Sequence, residues 1–326
     1  GECGKRIAEE RAGPEEKPFC AVCGMRYRYG QARGEKEKAR GVFNQEFLGY
    51  LKKNFAKEKE KNFLLENCSQ PLDLDNLVQS ARRHRYLAFV YADGNDMGGL
   101  FQRMKSREEY EMLSAALQRG TKEALFETLA EIFERSCRLS PCWPFEIINI
   151  GGDDVTFLIQ GGFAWEAAVK FLSHFEDKVR KNIAESFGGW PAGWPAVTAS
   201  CGIVVAGQKY PLYYFEKLAA DSLRKAKKLA KKERCRPQSA VHFLWLPNPV
   251  AGERVDPFLD RYRRIQKGGE EFVLTSRPYT LEQAGLVGDL AAECASWSRN
   301  LRRQWGEALE SGIFASRLAI FYSLAR

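Results

Sequence analysis

Three aspartates stand where apolar runs of the chain break. Asp93 closes YLAFVYA (86–92), while Asp153 and Asp154 lie between FEIINI (145–150) and VTFLI (155–159). All three are strand-like runs, the first continuous enough to be a buried central strand and the other two close enough to be a β-hairpin. If the strand lies beside the hairpin, three carboxylates converge, and cations must neutralise such a cluster. Hard carboxylate oxygens suit Mg²⁺ or Mn²⁺. Two such ions about 4 Å apart activate an attacking hydroxyl and stabilise a leaving pyrophosphate.

The flanking residues fit that chemistry. Gly151 and Gly152 supply a turn with positive φ and leave room for a nucleotide near the backbone. DGNDMGG (93–99) offers the amides of Gly94, Asn95, Asp96 and Gly98 to phosphate oxygens. Taken alone, Gly-Gly-Asp-Asp is also good chemistry for an ordinary turn, and Asp-Gly ends many strands that do nothing further. Together at corresponding strand ends, the two motifs favour chemistry over punctuation.

The elements that must position these acids can be read from periodicity. Residues 106–136 place Leu113, Leu117, Leu125, Leu129 and Phe133 on one helical face, and Pro141 and Pro144 close that element. A second helix over 164–186 aligns Ala168, Phe171, Leu172, Phe175 and Val179, and WPAGWP (190–195) breaks it. A strand at 197–206, a helix at 214–232 and a strand at 240–246 follow. That order is the split βαβ pattern of ferredoxin-like palm domains, an α/β (α+β) fold.

With 326 residues, 44% hydrophobic and 28% charged, the chain has material for about two domains. Its apolar runs fall well short of the roughly 20 residues a membrane helix needs, so no membrane partner is expected. The net charge of +8 fits a nucleotide or nucleic-acid partner without demanding one. Locally, 52–61 mixes signs as a solvated helix face does, whereas RKAKKLAKKERCR (224–236) is almost purely basic and better suited to phosphate. Trp190, Trp194, Tyr213 and Tyr214 read as packing rather than as a stacking platform. His84, His174 and His242 stand apart from one another and read as surface or packing residues, so no nuclease centre is expected.

Residues 1–40 lack apolar periodicity and need a staple to fold. Cys20-Ala-Val-Cys23 has zinc-knuckle spacing, and Cys3-Gly-Lys reads as the end of a second knuckle whose first cysteine would precede Gly1. A structural Zn²⁺ is therefore expected, with Cys68 a candidate for the missing ligand and a plain reduced CxxC the competing reading. The remaining scattered cysteines, including Cys68 and Cys137, read as reduced thiols, which places the protein in the cytoplasm. The expected division is a zinc-ribbon-like module at 1–40, a helical linker at 41–84, the palm at 85–248 and a mainly helical domain at 249–326, in which PFLDRYRRIQ (257–266) reads as a helix and EFVLTSRPYT (271–280) as an extended piece.

YADGNDMGG (91–99) paired with INIGGDDVTF (148–157) resembles the second palm domain of the large polymerase-like subunit of type III CRISPR effector complexes. That family is related to GGDEF diguanylate cyclases and class III nucleotide cyclases. VTASCGIVVA (197–206), AADSLRKAKKLAKK (219–232) and LTSRPYT (274–280) extend the resemblance in the same order. It implies conversion of ATP to cyclic oligoadenylates when target RNA is bound. Asp93 and Asp153 would then be metal ligands, Asp154 a further ligand or a group that positions the attacking hydroxyl, and Lys227 a triphosphate contact. Ser200 and Asn95 would line the nucleotide site. Read without the resemblance, Lys227 is equally one lysine of a solvated helix face.

The family carries two palms, so cyclisation by this chain would need a second one, from further polypeptide or from a homodimer. Other effector subunits and guide or target RNA are the further partners implied. Two other readings stand beside this one. A dimeric GGDEF-like cyclic dinucleotide synthase differs in base and product, though the hairpin reads GGDD-Val and the RPYT segment falls outside that pattern. A catalytically silent scaffold for RNA or protein has no physical reason to keep a repulsive acidic cluster.

Overall fold

The computed structural model describes residues 10–12, 17–19, 42–55, 58–79, 85–231, 237–248, 250–267, 270–275, 277–309, 316–318 and 321–322. Cys3, Cys20 and Cys23, and with them the zinc expectation, lie outside these residues, as does His84. Contacts divide the chain into Gly1–Asn54 and Phe55–Arg326. In the first unit, β1 (Glu10–Ala12) pairs antiparallel with β2 (Lys17–Phe19). Helix α1 (Val42–Phe55) begins there and buries Phe47 and Leu51.

The second unit is built on one six-stranded sheet. It opens with α2 (Lys59–Asn67) and the single turn α3 (Leu74–Leu77), capped by Asp73 accepting from the Asn76 amide. The central strand is β3 (Tyr86–Gly94), followed by the short α4 (Met97–Phe101) and the long α5 (Arg107–Cys137). The hairpin of β4 (Phe145–Gly151) and β5 (Asp154–Gln160) leads into α6 (Ala164–Phe187). Then come β6 (Ala199–Gly207), α7 (Leu212–Ala230) and β7 (Ala240–Trp245).

Past this core lie α8 (Asp256–Arg263), the two-stranded β8 (Arg264–Lys267) and β9 (Glu270–Val273), and the edge strand β10 (Tyr279–Thr280). Helices α9 (Leu281–Ala295) and α10 (Arg299–Leu309) follow, α9 opening on a capping box from Thr280 to Gln283. Sheet order is β10-β7-β6-β3-β5-β4, with β6 and β7 parallel and the other neighbours antiparallel. The anticipated split βαβ order is present, with Tyr279–Thr280 added at one edge.

The two faces of the sheet are covered by different helices, as the alternation along β3 dictates. Leu87, Phe89, Val204 and Leu244 face α7, packing on Phe215 and Leu218 in one core cluster. This helix lies unusually close to the sheet, because at Gly202 an added Cβ would sit 2.3 Å from the Ala219 carbonyl oxygen and 2.4 Å from the Leu223 nitrogen. On the other side, α5 and α6 pack on each other and bury the apolar faces expected of them, Leu113, Leu117, Leu125, Leu129 and Phe133 with Ala168, Phe171, Leu172, Phe175 and Val179.

Two expectations are corrected. Cys68 and Cys137 are joined in a disulfide rather than free, so Cys68 is not available as a zinc ligand. The stretch from Phe55, the last residue of α1, through α2 to Cys68 is held beside the end of α5 and the segment after it: Phe55 packs on Phe133, Lys61 lies 3.6 Å from Glu134, and Trp143 Nε1 donates to the Cys68 carbonyl at 3.3 Å. Cys142 and Cys201 are buried free thiols. In addition, the helix anticipated through Gln266 stops at Arg263, where Arg264–Lys267 pair instead with Glu270–Val273 and Arg264 bonds Glu271 at 3.1 Å. Among the described residues no helix is long and apolar enough to cross a membrane.

Candidate active site

The site forms at one end of β3, where neighbouring strands bring sequence-distant residues into one row. Asp93 pairs across to Ser200 of β6, and Asp154 directly precedes the Val155 that pairs with Ala92. Gly152 and Asp153 make the two-residue turn between Gly151 and its partner Asp154, with Gly152 at φ +70°. That backbone region favours glycine. The three aspartates thus meet at a single strand end, as their places in the sequence require.

Their contacts set them apart chemically. Asp93 accepts an ion-paired hydrogen bond from Lys227 Nζ, and the same ammonium donates to the Gly94 carbonyl at 3.0 Å. Burial pushes the Asp153 carboxyl up to about 6, helped by the negative charge of Asp93, while Lys227 opposes the rise. Burial and Asp93 raise Asp154 as well, and Asp154 Oδ1 is buried with no hydrogen-bond partner among the described residues. Tyr91, one row further in, has its hydroxyl held above the ordinary range by burial and then by Asp154 and Asp93.

Gly94 lets the cluster close. A Cβ there would stand 2.6 Å from Asp153 Oδ2 and 2.7 Å from Met97 Cγ. Asn95 and Ser200 are turned toward each other rather than outward: Ser200 Oγ donates to Asn95 Oδ1 at 2.8 Å, and Asn95 Nδ2 donates to Thr198 Oγ1 at 3.0 Å. The expected row of free amides is partly used too. Asn95 N–H donates to the Thr198 carbonyl at 2.8 Å and Gly99 N–H to that of Asp96 at 3.0 Å, because Met97–Phe101 folds as a short helix behind Asp96, which sits at φ 53°. At Gly98 an added Cβ would meet nothing within 4 Å.

Beside Asp93 opens a cavity of about 830 Å³ whose walls include Tyr91, Lys227, Arg224, Lys228 and Arg254. Arg224 is tied to Asp221 at 2.9 Å. Neither Lys228 nor Arg254 pairs with a carboxylate among the described residues. The aromatic Tyr91 could have been found from sequence, since it shares Asp93's face two residues earlier. Arg254 carries no such signal, because a loop beyond β7 delivers it.

The donor set fits a hard divalent cation. Three carboxylates converge, two are raised by burial and then by the charge of Asp93, and one buried oxygen lacks a partner among the described residues. Among the described residues, however, no group of three acidic, histidine or cysteine side chains is arranged to hold a metal ion as it stands. Asp93 is instead turned to Lys227, so an ion would have to compete with that ammonium.

The raised Asp153 has a consequence for stability. The folded state holds a proton that the unfolded chain has released above pH ~4, so the metal-free protein loses stability as pH rises from ~4 to ~6. Asp153→Asn removes that penalty. Its expected gain at pH 7.5 in chelator is about 1–2 kcal/mol after discounting for solvent screening, with little gain at pH 4. Urea unfolding at the two pH values measures it.

A strand-end acid on β3, an acidic hairpin beside it and helices on both faces define a palm fold. Residues 86–236 match the protein family described as Cas10/Cmr2, second palm domain. Among solved structures, the Csm1–Csm4 cassette in complex with AMPPNP is 15% identical, with a TM-score of 0.32, over 50% of this chain and 22% of that one. Csm1 of T. onnurineus is likewise 15% identical at TM-score 0.32, over 51% and 22%. The coiled coil and GGDEF domain of DgcB from Caulobacter crescentus, in complex with c-di-GMP, is 13% identical at TM-score 0.32, over 68% and 100%. The match therefore spans about a fifth of the length of the Csm1 chains. No curated protein matches.

Proposed function

We propose that this palm is a metal-dependent nucleotidyltransferase that joins ATP molecules into cyclic oligoadenylate-type messengers within type III CRISPR or related antiviral signalling. The observation that carries the reading is the meeting of Asp93, Asp153, Asp154 and Lys227 at one strand end, inside the region that matches the Cas10/Cmr2 second-palm family.

Asp93 and Asp153, with Asp154 as a further ligand, would hold Mg²⁺ or Mn²⁺. When bound, two such ions supply Lewis-acid activation of the attacking hydroxyl and neutralise charge on the leaving pyrophosphate. The chain's own residues do the rest. Lys227, released from Asp93, turns to the triphosphate, with Lys228 and Arg254 lining the same cavity. Asp154 Oδ1, buried and unpartnered, accepts the hydrogen bond of the attacking ribose hydroxyl and holds it in line. The hydroxyl gives up its proton to solvent as its oxygen bonds to the α-phosphorus, the bond from that phosphorus to the bridging oxygen of the β-phosphate breaks, and pyrophosphate leaves with that oxygen.

Ring closure needs two nucleotides facing each other, hence a second palm from further polypeptide or from another copy. Effector subunits and target RNA are the partners this reading expects. The test is incubation of the protein with each NTP and Mg²⁺ or Mn²⁺, beside Asp153→Ala/Asp154→Ala, with products resolved by mass spectrometry. Cyclic oligoadenylate from the unmodified protein alone is the expected result. A cyclic dinucleotide of guanine would move the assignment to the GGDEF-like synthase. Silence with all four NTPs, after target RNA and partner subunits are supplied to folded protein, would make the palm a scaffold.

A further inference from the structure

The end of the sheet away from the carboxylates holds a second constellation that the proposed chemistry does not use. Tyr86 opens the strand that Asp93 nearly closes, about 23 Å away at the usual rise per residue. Here a cavity of about 1000 Å³ lies between the sheet, the start of α6 and α9. Four rings border it, Tyr86, Trp165, Phe243 and Trp245, with Trp165 edge-on to Phe243 at 5.3 Å and Tyr86 edge-on to Trp245 at 6.1 Å. The opposite wall is nearly flat. Helix α9 turns Ala284, Gly288 and Ala292 inward, and a Cβ on Gly288 would already touch Trp165 Nε1 at 3.4 Å. Trp165 Nε1 is fixed by donating to the Ala284 carbonyl at 3.2 Å.

Trp245 also walls a smaller neighbouring cavity of about 200 Å³, and two arginines, Arg263 and Arg277, line that one. The Arg277 guanidinium stacks on Phe243, 4.0 Å from the ring centroid, and Nη1 donates to the Phe243 carbonyl at 2.6 Å. Neither arginine is paired with a carboxylate among the described residues. Burial, then the charge of Arg263, brings Arg277 down to about 10, the sign of a guanidinium short of counter-charge. A partly buried pair of like charges on one small cavity favours an anion between them, and a planar guanidinium fork matches phosphate.

We propose that the two adjoining cavities form a second nucleotide site, with Arg263 and Arg277 holding the phosphate of a nucleoside monophosphate and the ring-lined chamber taking its base. Aromatic faces accept any base, and the size of the chamber is that of ordinary small-molecule sites. The site is metal-free in its chemistry and separate from Asp93, so it stands or falls apart from the palm's proposed activity.

The test is titration of the full chain in chelator with AMP, adenosine and inorganic phosphate, followed by tryptophan fluorescence and calorimetry. One AMP per chain is expected, with quenching of Trp245. Arg263→Gln and Trp245→Ala should each weaken AMP by about ten-fold or more, as loss of a charge-assisted contact or a stacked ring predicts. Asp153→Ala/Asp154→Ala should leave it unchanged. Trp245 is 47% exposed, so its removal spares the core, and circular dichroism checks both variants. Phosphate binding as tightly as AMP would overturn the nucleotide assignment in favour of a bare anion site. No AMP binding, or binding indifferent to both substitutions, would overturn the site altogether.

Discussion

Asp93→Asn is expected to lower ATP turnover about a thousand-fold while the protein stays folded. The amide keeps the shape of the carboxylate but not its charge, and Asp93 is the only one of the three acids carried by the central strand. Its loss removes a proposed metal ligand and also the counter-ion that holds Lys227. The fold survives because Lys227 still donates to the Gly94 carbonyl at 3.0 Å and because the charge that helps raise Asp153 is gone. Two measurements belong together here: steady-state turnover, which should collapse, and thermal unfolding in chelator, which should change little. Equal losses in both would mean that Asp93 is structural.

Gly94→Ala is expected to cost about a hundred-fold in turnover, the usual penalty for misplacing a catalytic group by about 1 Å. Gly94 does not have positive φ, so alanine meets no backbone strain there. The conflict is one of space alone. The new methyl would stand 2.6 Å from Asp153 Oδ2 and 3.0 Å from Asp153 Cβ, and the side chain free to yield is the carboxylate itself. Turnover should fall with little change in the KM for ATP, since Lys227 and the basic cavity beside it are untouched. Unchanged turnover would show that Asp153 works from a position the methyl does not reach.

Much of this site is legible in the residue order, for a definite reason. Strand ends are marked by the break of an apolar run, so Asp93 and the Asp153-Asp154 turn could be placed without knowing the sheet order. The faces of α5 and α6 follow from a 3.6-residue period that one core imposes. Lys227 is different. Lys225, Lys227, Lys228 and Lys231 look alike in sequence, and only the close approach of α7 at Gly202 selects Lys227 for Asp93. Asn95 and Ser200 stand near the cluster, but sequence alone does not reveal that Ser200 Oγ donates to Asn95 Oδ1.

The less legible features rest on long-range geometry. The Cys68–Cys137 bond joins residues 69 apart, across a helix pairing that no local pattern announces. The end of α8 at Arg263 is set by pairing of Arg264–Lys267 with a strand that follows it, so helical period alone overran it. Arg254 and the Arg263–Arg277 pair come from segments past β7, where irregular backbone decides direction.

The most direct test of the carboxylate cluster as a metal-nucleotide site is Mn²⁺ binding, read by electron paramagnetic resonance in the presence of a non-hydrolysable ATP analogue. Bound Mn²⁺ that requires the nucleotide, approaches two ions per chain and disappears in Asp153→Ala/Asp154→Ala is the predicted result. Mn²⁺ that remains free at every nucleotide concentration, or binds the double variant as well as the unmodified chain, would contradict the assignment of Asp93, Asp153 and Asp154.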